Sequence, residues 1–229
     1  MNEQAIKNML AEILTCVLNE VSAQNGGCSA PAPSVENGPI PVELSARHVH
    51  LSEKDALALF GGPLTHVRDL SQPGQFLCKE RVRLIGPKGV MDNVAVLGPA
   101  RSSSQVELSK TDARVLGIDA PVRQSGDTAG SPGLVLASEH GIVGIEEGAI
   151  VASRHIHMTP ADAQRFGLKD KDMVDIRLET ERPLVLEDVL VRVSDKFALA
   201  MHIDADEGNA SGWKKGVDGV IVGRGSHGH

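Results

Sequence analysis

Tyrosine is absent from this 229-residue chain, tryptophan occurs once and phenylalanine four times. Without rings to stack on bases, no platform for single-stranded nucleic acid is expected, and the core has to be assembled from Val, Leu, Ile and Ala. Basic runs are missing too, and the formal net charge is −7, which argues against an electrostatic footprint for nucleic acid. The three cysteines, Cys16, Cys28 and Cys78, form no CxxC and no even set. Neither a disulfide framework nor a thiolate zinc site is expected, and reduced thiols suit a cytoplasmic setting. No apolar run approaches the ~18 residues of a membrane-spanning helix. The N-terminus lacks a basic stretch followed by an apolar block, so it does not read as a secretory signal.

What is present falls into two parts. Residues 2–22 place Ile6, Met9, Leu10, Ile13, Leu14, Val17, Leu18 and Val21 at helical spacing, which predicts an amphipathic helix. A stretch rich in Gly, Pro, Ala and Ser follows and reads as a flexible linker. A helix on such a tether can dock on another protein, self-associate or fold back on the body. With Lys7 its only basic residue, binding to a membrane surface is disfavoured. From Pro41 onward short Val-rich segments such as ERVRLIG, VMDNVAVLG, MVDIRLE and LVLEDVLVRVS are punctuated by Gly and Pro. That pattern predicts a mainly β body of small barrels or sandwiches.

The body contains an internal match. SARHVHLSEKDALALFG (45–61) aligns with ASRHIHMTPADAQRFG (152–167), pairing His48 with His155 and His50 with His157 at an offset of 107. Each copy reads as a strand entering a short helix, with Ser52 and Thr159 as N-caps, Asp55 and Asp162 completing capping boxes, and Gly61 and Gly167 as stops. A weaker match lays SQVELSKTDA (104–113) on LAMHIDADEG (199–208), setting Glu107 opposite His202. Together they predict a duplicated β-unit with pseudo-twofold symmetry.

In a strand, residues i and i+2 share a face. His48 and His50 therefore point into one space, as do His155 and His157. A lone strand histidine is commonly a hydrogen-bonded core residue. Two such pairs, each with a further donor-type residue, instead suit two divalent ions, one held by His48, His50 and Glu107 and the other by His155, His157 and His202. Three protein ligands per ion leave a position open for chemistry. Arg101, upstream of Glu107, suits a tetrahedral oxyanion or, alternatively, a surface ion pair. His227 and His229 share the spacing but sit in a Gly-rich tail and need no metal.

ELSARHVHLS, LSQPGQF (70–76), LGPARSSSQVELS (97–109) and SRHIHMTPADA (153–163) together resemble the PduL-type phosphotransacylases, the phosphate propanoyltransferases, over residues 40–224. The resemblance implies two β-barrels capped by short helices, with a dinuclear zinc site between them. It implies residues 1–22 as an encapsulation-type helix, 23–36 as linker, 37–46 with 155–224 as one barrel, 47–154 as the other, and 225–229 as a flexible tail. The implied reaction interconverts acyl-CoA (propanoyl or acetyl) and phosphate with acyl phosphate and CoA, by direct attack of zinc- and Arg101-bound phosphate on the thioester. Two zinc ions, or cobalt, would be cofactors. Ser45 and Asn209 would contact the pantetheine or acyl end, and Arg68 the CoA phosphates. A dimer inside a bacterial microcompartment, docked to shell or core proteins through residues 1–22, completes the implied picture. No Ser-His-Asp or reactive-Cys motif suggests an acyl-enzyme, and Cys78 reads as core packing. The competing readings are a dinuclear zinc hydrolase using a metal-bound hydroxide, and a non-catalytic metal-binding scaffold.

Overall fold

The computed structural model describes residues 38–225. The helix and linker expected over 1–22 and 23–36, and the tail beyond Gly225, lie outside the described residues. Fifteen strands and four short helices occupy the rest. β1 (Ile40–Leu44) precedes a block of nine: β2 (His48–His50), β3 (His66–Asp69), β4 (Phe76–Ile85), β5 (Val90–Gly98), β6 (Gln105–Leu108), β7 (Val122–Arg123), β8 (Leu134–Ala137), β9 (Ile142–Ile145) and β10 (Ala149–Ala152). β11 (His155–Met158), β12 (Met173–Leu178), β13 (Val185–Val193), β14 (Ala200–Ile203) and β15 (Asp218–Arg224) follow. The helices are α1 (Glu53–Phe60), α2 (Lys110–Leu116), α3 (Pro160–Phe166) and α4 (Ala205–Ser211).

Hydrogen bonding sorts the strands across chain order. β1 runs parallel to β14 and antiparallel to β15, which closes β1-β14-β11-β13-β12-β15 into a six-stranded barrel. β2 to β10 form a nine-stranded sheet ordered β7-β10-β6-β2-β5-β4-β8-β9, with β3 against β4. This second sheet is a curled half-barrel and does not close, so one of the two expected barrels is complete and the other is open. Its edge strand β7 is two residues long and offers too few backbone groups to bond across to β9.

Alternation along the strands explains the burial. β12 buries Val174, Ile176 and Leu178 and leaves Arg177 exposed. β11 sends Ile156 and Met158 into the barrel core with Phe166, Val191 and Met201, so His155 and His157 face the other way. β2 does the same in the nine-stranded sheet, where Val49 joins Leu51, Leu84, Val96 and Val106. The scarcity of aromatics shows in these cores, where Phe166 is the one aromatic among the largest fully buried side chains of the described residues. Cys78 is fully buried among them, and burial pushes its thiol up to about 11. That is packing, not a nucleophile.

Each helix begins at a hydroxyl or carboxylate cap and ends at a left-handed glycine: Gly61, Gly117, Gly167 and Gly212. Thr159 and Asp162 form the reciprocal box expected at α3. At α1 the expected box is only half made. Ser52 accepts from the Asp55 backbone N–H, but the Ser104 hydroxyl stands between the other two groups. It accepts from the Ser52 N–H at 2.9 Å and donates to Asp55 at 2.5 Å. The relay ties the β5–β6 connection, which carries Arg101, to the start of α1. Ser104→Ala should therefore cost about 1–2 kcal/mol, the range for a lost cap or an orphaned buried group. Denaturant unfolding checks this, and an unchanged midpoint would refute it.

Candidate active site

The two histidine strands are set into their sheets in the same way. β2 lies between β5, parallel to it, and β6, antiparallel to it, with His48 opposite Glu107. β11 lies between β13, parallel, and β14, antiparallel, with His155 opposite His202. The structure thus brings together all six residues expected as ligands, as two groups of three. Within each group the donor atoms lie within 4.8 Å of one another.

Orientation within each group is set from outside. The Nδ1 atoms of His48 and His155 lie 2.9 Å from the carbonyls of Ala46 and Ser153. A carbonyl only accepts, so each Nδ1 carries a proton and each Nε2 is the ring atom left to face its group. His48 Nε2 sits 3.2 Å from His50 Nε2 and 3.5 Å from Glu107 Oε2. Further buried ring nitrogens have no hydrogen-bond partner among the described residues: Nδ1 of His50, both nitrogens of His157 and Nε2 of His202. Burying polar atoms unpaired is costly. One ring nitrogen from each histidine converges with the other donors of its group, an arrangement that fits a cation between them.

Electrostatics agree with that fit. Burial, then the neighbouring imidazoles, holds His157 down to about 2 and His202 to about 3; burial, His48 and Arg101 hold His50 to about 3. Burial likewise lowers His155. Burial pushes Glu107 up, but His48, His50, the Ser125 hydroxyl and Arg101 outweigh it and hold the carboxyl at about 2. At neutral pH these four imidazoles are unprotonated and the carboxylate is charged, the state in which they bind a divalent ion.

Both groups line one cavity of about 440 Å³. Arg101 lines it, is half-buried, and makes a hydrogen bond to Ser125 at 3.2 Å. Among the described residues it forms no ion pair, so the surface-pair alternative is set aside. Burial lowers its pKa and nearby Arg192 lowers it further. Two like charges facing one space favour an anion between them. Ser45 and Arg68 also line the cavity, whereas Asn209 is exposed on α4 and does not.

Several residues at the cavity or directly behind it escaped the sequence reading. Arg192 stands opposite His157 on β13, and Phe197 stacks on His157 with ring centroids 4.0 Å apart. Gln105 and Ser125 hold Glu107. Arg192 had no signal in the internal match, because the offset of 95 that lays Glu107 on His202 lays the apolar Leu97 on Arg192. Ser125, in a loop between two short strands, had none.

By fold and site this is an enzyme-type cavity in a β-protein, lined by two three-donor groups and by two arginines. A family model described as phosphate propanoyltransferase matches residues 41–214. Relatives bearing that name include one from Listeria monocytogenes, 50% identical over 213 residues (92% of this chain, 96% of the relative). One from Enterococcus faecalis is 55% identical over 79% of this chain and 87% of its own. One from Thermotoga maritima is 52% identical over 74% and 82%. The chain belongs to the phosphate propanoyltransferase family and is an acyltransferase.

Proposed function

We propose that this chain interconverts acyl-CoA and phosphate with acyl phosphate and free CoA, the acyl group being propanoyl or acetyl. One observation carries the reading: two convergent donor groups and two arginines without ion-pair partners among the described residues face a single cavity. The relatives' shared name supports the pairing of phosphate with a propanoyl group.

His48, His50 and Glu107 would hold one divalent ion, and His155, His157 and His202 a second. Nitrogen-rich sets of this kind suit zinc and also accept cobalt. Such ions supply Lewis acidity toward carbonyl and phosphate oxygens. The remaining work belongs to the chain. The Arg101 guanidinium grips two phosphate oxygens in a fork, and Arg192 adds positive charge from the barrel side. A phosphate held this way presents its free oxygen to the thioester carbonyl carbon. The O–C bond forms, the C–S bond breaks, and the sulfur leaves as a thiolate that takes up the proton released by phosphate. Ser45 and Arg68, on the cavity wall, are the proposed CoA contacts, with Arg68 facing the CoA phosphates. Asn209, away from the cavity, is not carried forward.

The same reading places the enzyme as a dimer in a bacterial microcompartment, with the apolar stripe of residues 2–22 as its docking element for shell or core proteins. No described helix is long and apolar enough to cross a membrane. The hydrolase alternative finds no support among relatives that share a transferase name.

Metal-loaded protein mixed with propanoyl-CoA should release free thiol only after phosphate is added. Release at the same rate without phosphate would overturn the transferase assignment in favour of hydrolysis.

A further inference from the structure

We infer, resting on the metal reading above, that Ser125 is a positioning residue that selects which oxygen of Glu107 meets the ion. Glu107 is buried in β6, and its two oxygens are treated differently. Oε1 accepts from the Ser125 hydroxyl at 2.6 Å and from Gln105 Nε2 at 2.6 Å. It lies 4.0 Å from His50 Nε2. Oε2 takes neither bond and stands 3.5 Å from the Nε2 of His48. The carboxylate is thus turned so that one oxygen is occupied by the protein and the other is left for a ligand.

The Ser125 hydroxyl is fully used in doing this. It has one proton, given to Glu107, and two lone pairs, which accept from Arg101 at 3.2 Å and from Gln105 at 3.1 Å. Gln105 is locked in turn, because its Oε1 accepts from the Gly126 backbone N–H at 2.7 Å. That bond decides which end of the amide faces Glu107. Gln105 and Glu107 share a strand face, and β7, which leads into the Ser125 loop, is separated from β6 only by β10. Strand order therefore delivers the hydroxyl to the carboxylate.

Among the described residues the second group has no hydrogen-bonded clamp of this kind, the Glu43 carboxylate coming only within 3.8 Å of His202 Nδ1. His202 holds the position across from His155 that Glu107 holds across from His48, and its Nε2 has no hydrogen-bond partner among the described residues. Loss of the Ser125 hydroxyl should therefore weaken one ion and spare the other.

The test is zinc titration against a competing chelator, on the full chain, for the wild type, Ser125→Ala and Ser125→Thr. The wild type should hold two ions. Ser125→Ala should lose about 10–100-fold in affinity for one of them, the usual effect of removing an outer-shell partner, with the other unchanged. Ser125→Thr, which keeps the hydroxyl, should restore it. The cobalt-loaded protein should show the same split in its visible absorption. Two ions bound by Ser125→Ala as tightly as by the wild type would overturn the inference. So would equal weakening of both ions with a lower unfolding midpoint, which marks a structural role. A wild type that holds no ion would instead sink the metal reading itself.

Discussion

Arg101→Ala is expected to lower kcat/KM for phosphate by about 10²–10³-fold, the range for removing one preorganised donor to a reacting oxyanion. The residue is held for such a task. Its backbone N–H donates to the Leu51 carbonyl at 2.8 Å, and the Ser104 relay anchors the same connection to α1. Its guanidinium spends one hydrogen bond on a neutral hydroxyl and none on a carboxylate among the described residues, so its fork is free for a ligand. Arg101→Lys keeps the charge and loses the planar fork, and should fall between the two. Initial rates at varied phosphate and fixed acyl-CoA measure the effect. A rise in KM alone would mean the arginine only binds phosphate, and a fall in kcat would mean the contact strengthens in the transition state. An unchanged dependence on phosphate would remove Arg101 from the site.

Glu107→Gln should abolish tight binding of one of the two ions. The substitution keeps shape, removes the charge and replaces one acceptor oxygen by an amide donor. The native carboxyl is held ionised by His48, His50, Ser125 and Arg101 despite burial, and a neutral amide is a poor ligand beside it. Loss of a direct ligand should exceed the ~10–100-fold typical of outer-shell partners, and turnover should fall with the ion. Elemental analysis after dialysis against a chelator reads the stoichiometry. Two ions retained at wild-type strength would exclude Glu107 as a ligand.

Much of the site was legible because its information is local. A strand of period two puts His48 and His50 on one face and Val49 on the other, and the same holds for His155, Ile156 and His157. The caps at Ser52 and Thr159 and the glycine stops are local as well. Asp55 shows where locality fails. Its spacing from Ser52 predicts a capping box, but a hydroxyl 49 residues away intercepts its carboxylate. Ser125 fails for the same reason, being 18 residues from Glu107 in a loop without periodicity.

The sequence by itself determined the β class, the histidine faces and the helix ends, because each follows from spacing along one strand or one helix turn, while Glu107 and His202 were reached only through the internal match. Only the tertiary structure decided that one sheet closes and the other stays open, that Arg192 joins Arg101 at the cavity, and that Oε2 of Glu107 is the oxygen left free. Those outcomes depend on pairings between distant strands and on which polar groups meet in the interior. Burial makes such meetings energetically decisive, and no short-range pattern encodes them.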